Sequence, residues 1–179
     1  PPYRSRIAWE KLHFFWGDER AVPFDDDRNN AKMTYEHLLN KVPVTASQVH
    51  VMRTDIDPDK AATEYEQVLR TYFTGEGQSF DLVLSGMGDD GHTLSLFPGT
   101  AVVHEKKAWV SAFYLAPQQM FRITLTAPIV NRAVRVAFLA FAAWTLRGDE
   151  LTDEDEARAK RTGRSAILAV SGALFLAEL

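Results

Sequence analysis

The apolar run Phe80-Asp81-Leu82-Val83-Leu84 passes directly into Ser85-Gly86-Met87-Gly88-Asp89-Asp90-Gly91-His92, and Pro98-Gly99 follows shortly after. A short, nearly unbroken apolar strand implies burial on both faces, as in a parallel sheet covered by helices. Glycines set so densely behind it require a backbone that turns tightly or comes close to a ligand. The rest of the chain repeats the alternation of strand and helix. Leu12-His13-Phe14-Phe15-Trp16 reads as a buried strand ending in a loop at Gly17-Asp18. Residues 29–40 carry Met33, His37 and Leu38 at helical spacing, with Pro43 beyond. Residues 49–52 form a second strand, and Asp57-Pro58 opens a helix through Ala61, Tyr65, Val68, Leu69 and Tyr72 that stops near Gly75 and Gly77.

Residues 108–114, 121–126 and 134–141 are rich in strand formers. Thr152 caps a helix start over residues 151–156, and residues 167–170 and 173–176 give a last strand or turn and a terminal apolar segment. Alternation of this kind predicts an α/β layered fold with a mostly parallel sheet. With 179 residues, 46% of them hydrophobic, the chain suits one domain over residues 1–179.

Charge narrows the partners. The 24 acidic and 20 basic residues are interspersed and sum to −4, so no basic stripe is available to follow a nucleic-acid backbone or an anionic membrane. A small phosphorylated metabolite remains compatible, because it needs only one or two well-placed cations. No cysteine is present, which removes disulfides, thiolate catalysis and cysteine-bound zinc and points to a cytoplasmic setting. No apolar run approaches the ~18 residues of a membrane span, and the chain reads as soluble.

Gly86, Gly88 and Gly91 fit the spacing G-x-G-x-x-G behind a strand. A dinucleotide site needs a long helix opening inside that loop, which Pro98-Gly99 stops, and Asp89 and Asp90 oppose a pyrophosphate. A metal site at Asp89, Asp90 and His92 lacks distant ligands. Either the glycines only turn the chain, or they let backbone approach a ligand while His92 supplies a base. Arg20, in Trp16-Gly17-Asp18-Glu19-Arg20, lies on the same sheet rim if the two strands are parallel neighbours. Its donor fork suits a phosphate, although it is equally placed to pair with Asp18, Glu19 or residues 25–27. The residues alone thus describe a phosphorylated small molecule held by Arg20 and loop amides, with His92 acting as acid or base.

The segments HFFWGDERAVPFDDDRNNAKM (residues 13–33) and FDLVLSGMGDDGHTLSLFPGT (residues 80–100) closely resemble the 6-phosphogluconolactonase family, within the glucosamine-6-phosphate isomerase/6-phosphogluconolactonase superfamily. VHVM, AATEYEQVLR, FRITLTAPIVNRAVRVAFL and the closing SGALFLAEL are similar to family text in the same order. The resemblance implies a Rossmann-like three-layer α/β/α sandwich. It also implies hydrolysis of 6-phospho-D-glucono-1,5-lactone to 6-phospho-D-gluconate without metal or organic cofactor. Carried over by position, His92 is the general base that activates water, Asp90 orients the loop or substrate hydroxyls, and Arg20 binds the phosphate. Asp18, Gly86, Gly88, Gly91 and Arg122 complete the candidate substrate-binding set. Isomerase or deaminase chemistry on an amino-sugar phosphate is disfavoured, because G-D-E-R and D-G-H-T resemble the lactonase forms of these loops.

Three departures qualify the resemblance. No S-G-G-S-T-P segment stands before Pro1, Thr145 lies near the place of a family lysine, and Ser85 replaces an apolar residue. They lead us to expect an N-terminally incomplete domain, with an open strand edge compatible with a monomer or a homodimer. They also raise the alternative of a catalytically impaired sugar-phosphate-binding module.

Overall fold

The computed structural model describes residues 4–75, 77–139 and 174–178. The expected helix start at 151–156, the segment 167–170 and Thr145 lie outside the described residues. Strand β1 (Leu12–Trp16) carries Phe14, Phe15 and Trp16, all buried, so its aromatic side chains fill both faces of the sheet. It pairs in parallel with β3 (Val49–His50), which is shorter than residues 49–52. Strand β4 (Leu82–Gly86) pairs in parallel with β7 (Arg135–Leu139). Between β1 and β4 runs β8 (Leu174–Glu178), antiparallel to both, giving the order β3-β1-β8-β4-β7.

The predicted α/β architecture is present, with a second, smaller sheet that the sequence does not announce. It consists of β2 (Asp18–Arg20), β6 (Met120–Leu125) and β5 (Val110–Leu115), all antiparallel. The supposed loop after Trp16 is therefore strand. At Gly17 the chain leaves one sheet and joins the other: the Gly17 carbonyl accepts from Leu125 N–H at 2.7 Å, and Arg20 lies opposite Arg122. Gln119, with φ of 50°, closes the hairpin between β5 and β6.

Helix α1 (Asn30–His37) starts where the Asn29 side chain accepts from Lys32 N–H at 2.9 Å. It ends before residue 40, because Leu38 departs to φ −132° and a 3₁₀ turn takes over. Glu19, fully buried, binds the helix to β2. Its carboxylate accepts from the amides of Arg20 (2.8 Å), Asn30 (2.7 Å) and Ala31 (2.8 Å). Burial pushes this carboxyl up to about 7, against the pull of the three amides.

Helix α2 (Pro58–Tyr72) has Asp57 as its cap and Pro58 in its first turn. Its inner side presents Ala61, Tyr65 and Leu69 to the core. The Tyr65 hydroxyl accepts from Trp16 N–H at 2.8 Å and faces the carbonyls of Trp16 and His50, both at 3.1 Å. One buried hydroxyl thus joins α2 to β1 and β3. The short helix α3 (Ala127–Val130) seats Ile129 in the same core. Among the described residues no helix is long and apolar enough to cross a membrane.

His13 and His50 sit side by side on β1 and β3, with Nδ1 and Nε2 3.2 Å apart and both rings against Tyr72. Burial pushes both imidazoles below their ordinary value of 6.5, and for His50 the neighbouring His13 adds to the effect. A depressed folded-state value means stability that is present above about 6.5 and lost as pH falls through the folded value. Chemical denaturation should therefore show wild type losing stability relative to His50→Phe between pH 7.5 and pH 5. A difference that stays constant over that range would show that the pair does not titrate on folding.

Candidate active site

The segment that follows β4 is organised by its own hydrogen bonds. Gly88 N–H donates to the His92 carbonyl and Gly91 N–H to the Gly88 carbonyl, each at 2.9 Å. Gly91 has φ +80°, a conformation that favours glycine. A Cβ at Gly88 would run into Cε1 and Nδ1 of His92, so this glycine clears the space that the imidazole occupies. In this conformation Gly88 and Gly91 donate within the loop, while Gly86 lies exposed with open space beside it.

Asp90 holds His92 at two points, with Oδ1 accepting from the His92 amide at 3.1 Å and from Nδ1 at 2.5 Å. The His92 donors keep the Asp90 carboxyl below the usual carboxylate range. A neutral imidazole that donates from Nδ1 carries its lone pair on Nε2, the form a proton acceptor requires. Phe97 lies against the imidazole with ring centroids 4.0 Å apart and planes inclined by 24°. Among the described residues no group of three or more acidic or histidine side chains is arranged to hold a metal.

Beneath this loop lies a buried ion pair. Arg122 donates from Nη2 to Asp18 Oδ2 at 2.7 Å and from Nε to Ser95 Oγ at 2.9 Å. Ser95 donates in turn to Asp18 Oδ2 at 2.6 Å, and its amide meets Thr124 Oγ1 at 3.2 Å. Asp18, Ser95, Arg122 and Thr124 are all buried, Arg122 to within 3% of its surface. Asp18 and Arg122, expected among the substrate-binding groups, are thus engaged with each other. Leu94, between His92 and Ser95, takes φ +55°, where a side chain of its kind is strained.

Arg20 sits opposite Arg122 on the neighbouring strand, hence on the same face of the small sheet. Its Nη1 donates to Asn30 Oδ1 and, at 3.4 Å, to the Arg28 carbonyl. The pairing with Asp18, Glu19 or residues 25–27 that the sequence left open does not form among the described salt bridges. Burial first, and then the Arg122 charge, push the Arg20 guanidinium below its ordinary value. The two motifs are connected by contact: His92 rests on Phe97, Arg122 lies 5.9 Å from the Phe97 centroid, and Arg20 is paired across from Arg122. Ser95, Phe97, Thr124 and Asn30 were not among the residues singled out from sequence, although the first two lie inside the quoted loop segment.

Comparison with known proteins matches residues 1–143 to the family described as glucosamine-6-phosphate isomerases/6-phosphogluconolactonase. The chain is 36% identical over 172 residues to 6-phosphogluconolactonase 3, chloroplastic, of Arabidopsis thaliana, covering 90% of this chain and 51% of the relative. It is 40% identical over 144 residues to 6-phosphogluconolactonase of Synechocystis, covering 78% and 59% respectively. The crystal structure of 6-phosphogluconolactonase from Thermotoga maritima superposes with a TM-score of 0.67 at 30% identity, over 76% of this chain and 63% of the other. The chain spans about half the length of the curated plant relatives it matches.

Breaking a buried ion pair from one side leaves an uncompensated charge, at a cost of about 3–5 kcal/mol. Asp18→Asn and Arg122→Met should each lower unfolding stability by an amount of that order, and the double variant by clearly less than the sum. Additive losses in denaturant titrations would mean that the two side chains are not coupled.

Proposed function

The chain belongs to the glucosamine-6-phosphate isomerase/6-phosphogluconolactonase family, and on that premise we propose that it hydrolyses 6-phospho-D-glucono-1,5-lactone to 6-phospho-D-gluconate. The observation that carries the reading is the Asp90–His92 contact, which leaves Nε2 as the proton-accepting nitrogen in a glycine-opened loop. His92 Nε2 takes a proton from water as the water oxygen attacks the lactone carbonyl. Asp90 stabilises the imidazolium that forms. When the tetrahedral intermediate collapses, the bond from the carbonyl carbon to the ring oxygen breaks. The imidazolium returns its proton to that oxygen, and the products are a hydroxyl and a carboxylic acid that ionises.

General-base assistance of this kind contributes about 10² to 10⁴ in rate, enough for a carbonyl already activated as a lactone. No metal or organic cofactor is required by these steps. Arg20 is the residue we assign to the phosphate: its hydrogen bonds go to neutral oxygens, so its charge is available to an anion. Gly86 and the neighbouring backbone border the sugar, while Asp18 and Arg122 act from below by fixing β2 against β6. The proposed substrate is a small molecule, and the proposed setting is the cytoplasm, with the chain as a monomer or a homodimer; the Arabidopsis relative is chloroplastic by name.

Purified protein should hydrolyse the lactone faster than its spontaneous opening. His92→Ala should reduce kcat by about 10² to 10⁴, and a rate unchanged by that substitution would remove the catalytic assignment. Arg20→Ala should act mainly on KM, raising it about tenfold or more through loss of a charge-assisted bond of roughly 1.5–3 kcal/mol. Calorimetric binding of 6-phosphogluconate without turnover would favour a sugar-phosphate-binding module over an enzyme.

A further inference from the structure

Phe97 is buried to within 8% of its surface, yet it is not part of the contiguous apolar core that gathers Phe14, Phe15, Tyr65, Leu69, Phe80 and Ile123. Its ring is covered instead by two polar groups, the His92 imidazole and the Arg122 guanidinium. Core filling therefore does not account for an aromatic side chain here. Its backbone is also fixed: the Phe97 carbonyl accepts from both the amide of Thr100, at 3.2 Å, and its hydroxyl, at 2.6 Å. Pro98 and the φ +79° of Gly99 define the turn that follows.

The imidazole meets a different constraint on each side. Asp90 holds Nδ1, Gly88 leaves room for the Nδ1–Cε1 edge, and Phe97 lies along the face. A single hydrogen bond to Nδ1 fixes one atom and still permits the ring to swing about it. A flat surface 4.0 Å away fixes the plane. Because Phe97 contacts Arg122, that plane is referred to the Asp18–Ser95–Arg122 network rather than to the exposed loop.

We propose that Phe97 is a positioning residue that sets the plane of the His92 ring and so the direction of Nε2. The kinetic consequence rests on the lactonase reading above, whereas the orientation of the ring does not. A base turned away from its water loses rate without losing substrate affinity, and a misplacement of the order of 1 Å costs up to about 10² in rate.

The test combines proton NMR of the histidine rings, assigned with His92→Gln, with steady-state lactone hydrolysis. In wild type the His92 ring protons should be displaced upfield by the Phe97 ring current. In Phe97→Leu they should move toward the positions of an unstacked histidine, with kcat lowered about ten- to hundredfold and KM unchanged. Phe97→Tyr should restore both the displacement and kcat. An undisplaced His92 signal in wild type overturns the proposal with no variant needed, which covers the case of a Leu variant that fails to fold. A folded Phe97→Leu with unchanged kcat, or one whose loss lies in KM, overturns it as well. Should wild type fail to hydrolyse the lactone at all, the reaction assignment falls and the resonance position alone decides the part played by Phe97.

Discussion

The site depends on an ion pair that solvent does not reach. Asp18 and Arg122 come from strands far apart in the chain, and both lose nearly all their hydration when β2 docks against β6. Attraction between them offsets that loss only if the geometry is good and the remaining polar atoms find partners. Ser95 supplies the missing partners by donating to Asp18 while accepting from Arg122. The glycine-rich loop is thus drawn onto the small sheet by its own serine. Leu94 takes its positive φ where the chain passes from the partly exposed His92 to the buried Ser95.

This arrangement explains which parts of the molecule can be read in its sequence. Strands β1, β4, β5 and β6 are legible because each is a short apolar or β-branched run bounded by turn residues. Strand β2 is not: Asp-Glu-Arg has neither apolar alternation nor β-branched residues, and its pairing is decided by residues about a hundred positions away. Charged residues inside a motif look alike from sequence whether they touch a ligand or each other. Asp18 and Arg122 belong to the second kind here, whereas the Arg20 guanidinium donates to neutral oxygens. The same holds for glycine. Gly91 answers to backbone conformation, but Gly88 answers to the volume of a side chain four residues on.

The residues alone single out His92 and Arg20, and the family resemblance adds Asp90 and an expected role for each by position. It did not mark Ser95 or Phe97 separately, though both stand in the same quoted segment. Their roles follow from contacts across the fold, Ser95 with two strands and Phe97 with an imidazole and a guanidinium. A linear motif preserves such residues without saying what they do.

The two arginines opposite each other on β2 and β6 complete the argument. Like charges directly across an antiparallel pair repel, and the small sheet neutralises only one of them, through Asp18. Arg20 keeps its charge among carbonyl and amide oxygens; its partial desolvation and the Arg122 charge work against the protonated form, while Asp18 and Glu19 favour it. Its charge is thus held by neutral acceptors and balanced only through space, by carboxylates already engaged elsewhere, Asp18 with Arg122 and Glu19 with backbone amides. On the proposed assignment of Arg20 to the substrate phosphate, an anion there would offset the repulsion from Arg122, so part of its electrostatic gain would come from the fold. The buried pair fixes β2 against β6, and that pairing holds the Arg20 guanidinium opposite Arg122.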